Sequence, residues 1–325
     1  MKKIKALFCA ELRQFLSNGE VLHHRSRQHF LNWKIVKFYF KGEIKMKKIF
    51  AFIFTIMTAI MLTLTCVATE PTIVVIEEDY GIAPASIIDP DTRTQVSNTR
   101  IAPYNAICKM YVYLDCGCST QAGTGFLISD NCIVTAAHNF VCTKTENGSY
   151  VHPYGKVEKI NIYFGLYYNE NNVSTCYAAT LNVVEDSDTE FGYMHYINNS
   201  RSSAYDYGYI ILDDDQISDL QGITTYFELE SLSDTQISNK SIIITGYPSG
   251  KILYTGNGMT QTITSTKVYH NVDTSGGQSG SPMYYVDSNG KYKVIGIHTS
   301  GVGSTAYNSG RRIDASLKTM YDSIR

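Results

Sequence analysis

An all-β fold of antiparallel barrels or a sandwich is what this sequence predicts, and three observations predict it. The first is composition. Charged residues make up only 18% of the chain, and 25 tyrosines accompany many runs of Val, Ile and Thr. Branched and aromatic side chains pack well on a pleated surface and so favour strands. The second is segment length. Short apolar stretches at 107–114, 125–128, 133–135, 159–164, 178–184, 207–212, 242–245, 261–268, 283–286 and 294–298 all read as strands. The third is punctuation. Turn clusters such as Ser129-Asp130-Asn131, 213–215 and 287–290 separate those stretches, a rhythm that excludes a doubly wound parallel sheet.

Only the C-terminus reads clearly as a helix. Asp314 is placed to cap it, and Leu317, Met320, Tyr321 and Ile324 recur at offsets of 3, 4 and 7. The sequence carries no internal repeat and no low-complexity tract.

Ahead of the strands the chain changes character. Its 325 residues carry a formal net charge of −2, but residues 1–48 hold +9 and the remainder −11. A basic front before an acidic body fits a translocated protein. It also argues against a nucleic-acid partner, because the body lacks a basic face to neutralise phosphates. Lys47 and Lys48, the apolar run 49–64 and the small residues after it form the three parts of a secretory signal over 46–68. The expected location is therefore extracellular. The rival is a membrane anchor through 49–68, which would bring the only membrane contact. Residues 1–45 are an N-terminal extension, and Met46 reads as the true start of translation. Residues 69–85 hold four acidic side chains and no basic one and read as a propeptide. The body is then one domain, 86–325.

Six cysteines follow the propeptide: Cys108, Cys116, Cys118, Cys132, Cys142 and Cys176. An even count in an exported chain suggests disulfides, with 15 pairings open. Cys116 and Cys118 stand too close for a usual zinc knuckle, and the histidines do not pair at ligand spacing. Neither a metal nor an organic cofactor is expected.

Three segments carry chemistry. Ile133-Val134-Thr135-Ala136-Ala137-His138 ends a strand in small residues before a histidine, which leaves the imidazole open at a sheet edge. Asp206-Tyr207-Gly208-Tyr209-Ile210-Ile211 opens an apolar strand with an aspartate that burial can shield. Taken singly, a structural histidine and a turn aspartate explain these two. Gly276-Gly277-Gln278-Ser279-Gly280-Ser281-Pro282 surrounds a serine with glycines that permit a tight turn. Such a turn can aim the N–H groups of Gly277 and Ser279 at one oxygen and form an oxyanion hole. A plain glycine-rich hairpin is the bland alternative for the third alone. All three together, in the order His, Asp, Ser, point to nucleophilic acyl transfer.

These motifs resemble the glutamyl endopeptidases, bacterial relatives of chymotrypsin, from about residue 86 to 325. Asp91 to Thr99, Thr245-Gly246-Tyr247-Pro248 and Ile295-Gly296-Ile297-His298-Thr299 extend the resemblance beyond the catalytic motifs. It implies two six-stranded antiparallel barrels of the chymotrypsin-like type, a C-terminal helix and a peptide-bond hydrolase acting on proteins or peptides as a monomer. It also implies Ser279 as nucleophile, His138 as general base then acid, and Asp206 orienting the imidazole. For cleavage after glutamate or aspartate it implies a pocket of Thr274, His298 and a new α-amino group at Ser86, freed by cleavage after Ala85. His298, near an unperturbed pKa of about 6.5, would be partly charged at neutral pH. A neutral core histidine is the alternative. A disulfide between Cys118 and Cys142, with Cys116 as the rival partner, would close the loop bearing His138.

Three other readings compete. Asp273, six residues before Ser279, stands where trypsin-like enzymes hold the carboxylate that binds Lys or Arg. An inactive protease fold used as a binding module would be expected to lack a catalytic residue, and none is missing. A quality-control protease would carry a peptide-binding domain for which the chain has no room. Gln278 stands where chymotrypsin has the aspartate that pairs with a freed N-terminus, so activation through that ion pair is not expected.

Overall fold

Apolar alternation builds the first sheet directly. The computed structural model describes residues 86–325, apart from 89, 118–120, 143, 147–148, 151–155, 169–173, 183–189, 221, 249–251 and 302–306. The extension, signal, translation start and propeptide expected over 1–85 lie outside the described residues, as do Cys118 and the side chain of Cys176. Seven strands form one antiparallel arc: β1 (Ile107–Leu114), β2 (Gln121–Leu127), β3 (Cys132–Thr135), β4 (Val157–Tyr168), β5 (Ser174–Asn182), β6 (Glu190–Gly192) and β7 (Gly208–Ile211). Their order is β5-β4-β1-β2-β3-β7-β6. Ile107, Met110, Val112, Phe126, Ile133, Ile160, Ile162 and Ile210 are fully buried within it.

Six further strands close into a barrel: β8 (Ser241–Gly246), β9 (Tyr254–Ile263), β10 (Lys267–His270), β11 (Pro282–Val286), β12 (Tyr292–Gly301) and β13 (Asn308–Arg312). The ring runs β9-β8-β11-β12-β13-β10 and returns to β9. Thr94–Gln95 pairs outside it with β9, and Glu228–Leu229 lies parallel to β12. The all-β class predicted from the sequence is therefore the fold of the protein, with the second barrel closed by six strands and the first a half-barrel of seven rather than a closed six.

The two barrels share a joint. Phe227 packs edge-on against Phe126 of the first (5.5 Å) and Tyr284 of the second (5.1 Å). Its N–H donates to the Leu127 carbonyl at 2.9 Å. Such aromatic pairs add about 0.5–1.5 kcal/mol each beyond the area they bury. Lys109, buried in β1, sends its Nζ across to the Tyr247 carbonyl at 3.3 Å, and burial lowers its pKa to about 8.

The terminal helix forms as expected. It spans Ala315–Ile324, with Asp314 accepting the Leu317 N–H at 2.9 Å. Buried Tyr321 donates from its hydroxyl to the Gly208 carbonyl at 3.1 Å, which ties the chain end to the strand following Asp206. Three shorter helices, Met194–Asn198, Asp214–Asp219 and Asp234–Ile237, were not predicted. They are four to six residues long, too short for a helical period to show. The second has a capping box between Asp213 and Gln216, which was its one local signal.

Two strand expectations change. The stretch 261–268 is not one strand: it turns at Thr264, whose N–H donates to the Lys267 carbonyl at 2.9 Å. Thr and Ser make that turn without a Gly or Pro to announce it. β13, Asn-Ser-Gly-Arg-Arg, looks too polar for a buried strand. It is buried because both guanidiniums are paired, Arg311 with Asp314 (2.7 Å) and Arg312 with Asp234 (2.6 Å). Cys108, Cys116 and Cys132 are thiols, so Cys116 is not the disulfide partner of Cys142. Burial pushes the Cys132 thiol up to about 12, and Cys108 higher still.

Candidate active site

Strand pairing brings His138 and Asp206 together. β3 ends at Thr135 and runs through Ala136 into a short 3₁₀ turn, Ala137–Phe140. Gly208 lies opposite Thr135 in the β3–β7 ladder, so the residues just beyond each strand end meet. A side chain at Gly208 would collide with the Phe140 ring and the Gly192 carbonyl, which is why the Asp-Tyr-Gly order matters. Asp206 is fully buried. Its Oδ2 lies 2.7 Å from His138 Nδ1, and its Oδ1 accepts the His138 backbone N–H at 3.0 Å. Two bonds from one carboxylate fix both the ring and its backbone.

Ser279 sits on a turn held from the first barrel. Its carbonyl accepts the Thr124 N–H (2.9 Å) and the Asn139 side-chain amide (3.0 Å), one residue after His138. Thr124 Oγ1 donates to the Gly277 carbonyl at 2.8 Å and accepts the Tyr247 N–H at 3.0 Å. Gly277 and Gly280 have φ of +94° and +91°. At Gly280 a side chain would also strike the Thr124 carbonyl and Thr135 Oγ1. Only glycine fits both positions. The Ser279 hydroxyl rests on the Thr299 carbonyl at 3.4 Å and does not close on the imidazole. Such bonds are often long before substrate binds.

The N–H groups of the turn divide into two sets. Those of Gln278, Gly280 and Ser281 are taken by the Ser275, His298 and Gln278 carbonyls. Those of Gly277 and Ser279 make no bond among the described residues. Two free donors flanking a serine can receive the charge of a tetrahedral intermediate.

Beside this turn lie Thr274 and His298, both fully buried, with Thr274 Oγ1 and His298 Nε2 lacking any partner among the described residues. Sequence reasoning missed the residue behind them. His270, buried at the end of β10, has Nε2 3.3 Å from His298 Nδ1, while its own Nδ1 accepts the Val272 N–H at 3.3 Å. The two rings lie within hydrogen-bond reach, and which of them donates depends on the tautomer. The expected partial charge on His298 is corrected. Burial, with His138 as a second cause, lowers its pKa to about 3, so the ring is neutral in the free protein. Burial also holds His270 well below its usual value.

The segment 86–93 lies against the same turn. The Ser86 N–H donates to Asn308 Oδ1 at 2.9 Å, and the Ser86 carbonyl accepts from Asn308 Nδ2 (2.7 Å) and the Thr274 N–H (3.2 Å). Asn308 is a second residue the sequence did not reveal. Asp273 is committed elsewhere than the trypsin-like reading requires. Its Oδ1 accepts the Ile88 N–H at 2.6 Å, and Oδ2 accepts the Thr92 N–H and hydroxyl at 2.8 and 2.7 Å. The carboxylate faces the N-terminal segment.

No family model matches the chain. It is 32% identical over 235 residues to the extracellular metalloprotease of Bacillus subtilis, covering 71% of this chain and 67% of that protein. It is 26% identical over 260 residues to the glutamyl endopeptidase of Bacillus licheniformis (74% and 68%), and 29% over 231 residues to that of Staphylococcus epidermidis (70% and 70%). A solved structure of a Glu endopeptidase in complex with MPD matches with a TM-score of 0.52 at 27% identity, over 74% of this chain and all of that one. The first relative's name implies a metal. Among the described residues no three His, Cys, Asp or Glu side chains converge, so they do not fit a metal centre. Shared sequence along most of the chain, the two-barrel fold and the serine-bearing turn lead to one assignment: the protein is a serine endopeptidase belonging to the glutamyl endopeptidase family.

Proposed function

We propose that this protease is exported and cleaves proteins or peptides after glutamate, or aspartate, through an acyl-enzyme formed on Ser279. In this reading His138 takes the serine proton and later returns it to the leaving amine. Asp206 holds the imidazole, and the N–H groups of Gly277 and Ser279 stabilise the oxyanion. The observation that carries the specificity is the pair of buried polar atoms without partners, Thr274 Oγ1 and His298 Nε2. Buried polar groups are normally satisfied. A substrate carboxylate would satisfy both, and its charge would favour the protonated form of His298. Matched substrates with Glu or Gln at the cleaved position test this. Glu should be preferred in kcat/KM by tenfold or more, and His298→Ala should shrink that ratio. Equal turnover of the two substrates rejects the pocket.

Maturation belongs to the same proposal. Cleavage after Ala85 would convert the Ser86 N–H on Asn308 into an ammonium beside the pocket. N-terminal sequencing of active enzyme should begin at Ser86. A start more than a few residues away removes the amino group from the pocket. Export through a signal at 46–68 and action as a monomer complete the reading.

A further inference from the structure

Arg93 is the residue whose placement the fold and the pocket leave unexplained. It is only about 10% exposed, and its guanidinium is gripped by Asp91, with Nη2 to Oδ2 at 2.9 Å and Nε to Oδ1 at 3.0 Å. From that clamp Nη1 reaches into the serine-bearing turn. It donates to Ser275 Oγ at 2.8 Å and to Gln278 Oε1 at 2.8 Å. Gln278 is fully buried, and the same Oε1 accepts the Ser275 N–H at 3.0 Å. Between those two anchors lies Gly277, whose left-handed backbone aims one of the two free N–H groups.

We propose that Arg93 is the positioning residue of the oxyanion hole, bracing Gly277 through Gln278 and Ser275. The geometry explains how a turn with glutamine before the serine is ordered without an aspartate–ammonium ion pair. A glutamine oxygen alone closes the 275–278 turn with one neutral bond. The guanidinium adds a charge-assisted bond to the same oxygen and a second to Ser275. The brace comes from the segment that Asp273 holds at Ile88 and Thr92, so ordering of the turn depends on docking of residues 86–93. Removing one oxyanion donor outright typically costs about 10²–10³ in kcat, which bounds the loss from misplacing it.

The inference rests on reading Gly277 and Ser279 as oxyanion donors, and the test separates the two. Wild type, Arg93→Met and Arg93→Lys are compared for kcat and KM on a peptide amide and for inhibition by a peptide boronate, whose tetrahedral adduct occupies the hole. Active-site titration counts the competent molecules. Arg93→Met should lose about tenfold to a hundredfold in kcat and in boronate affinity alike, with KM little changed. Arg93→Lys, which keeps one charged donor, should recover part of both. Should Arg93→Met fail to fold, Gln278→Met removes the acceptor instead and should show the same paired loss. Unchanged kcat and boronate affinity, or a rise in KM alone, overturns the role of Arg93. If wild type binds the boronate no better than the matching carboxylic acid product, the oxyanion reading itself fails.

Discussion

Asp206→Asn should lower kcat by about 10⁴-fold while leaving the fold intact. The buried carboxylate accepts two bonds from one residue, from the His138 backbone N–H and from Nδ1–H. An asparagine can accept only one of them. With its oxygen on the backbone N–H, its NH₂ must face Nδ1, which then becomes an acceptor. The ring proton moves to Nε2, the atom that receives the proton of Ser279 in the proposed mechanism, and the base is blocked. Ser279→Ala should fall at least as far and lose labelling by organophosphorus reagents, since in the proposed mechanism the acyl group is carried on the Ser279 hydroxyl. Rate measurement on a peptide amide and a thermal melt check both. More than about 1% residual activity in Asp206→Asn with an unchanged melt would remove Asp206 from the mechanism.

The parts of this site that were legible in the sequence are those that local backbone demands impose. Ala136 and Ala137 before His138, Gly208 after Asp206, and Gly277 and Gly280 around Ser279 each answer a steric requirement within a few residues. Those requirements appear directly as residue types. The strand at Ile107–Leu114 and the helix capped by Asp314 were legible for the same reason. What stayed hidden is non-local satisfaction of polar groups. His270 lies 28 residues from His298 in the chain, and Asn308 lies 222 from Ser86. No spacing rule links such pairs. Buried β13 was missed because its arginines become core residues only once Asp314 and Asp234 are in place. The protonation of His298 is a burial effect, and burial on that scale belongs to the closed barrel rather than to the strand alone. Asp273 shows the hazard of spacing by itself. Its distance from Ser279 suggests a pocket carboxylate, but three donors from 86–92 turn it into an anchor.

Asp273→Ala should therefore act on stability and on kcat, and leave basic substrates as poor as before. Removing the carboxylate strands the Ile88 N–H, the Thr92 N–H and the Thr92 hydroxyl in a part-buried setting. An unsatisfied buried donor costs about 1–3 kcal/mol. Water can reach some of these groups, so a total of about 3 kcal/mol is expected, or roughly 6–12 °C in Tm for a domain of this size. The same change frees residues 86–93, so Arg93 loses its footing on Ser275 and Gln278 and kcat should fall with it. In the trypsin-like reading the wild type would prefer Lys or Arg at the cleaved position, and Asp273→Ala would erase that preference with little change in stability. A thermal melt combined with a peptide-library digest by both forms separates the two. Loss of Tm without any cleavage after Lys or Arg supports the anchor. An unchanged melt with vanished Lys and Arg cleavage would return Asp273 to the pocket and displace Thr274 and His298 from it.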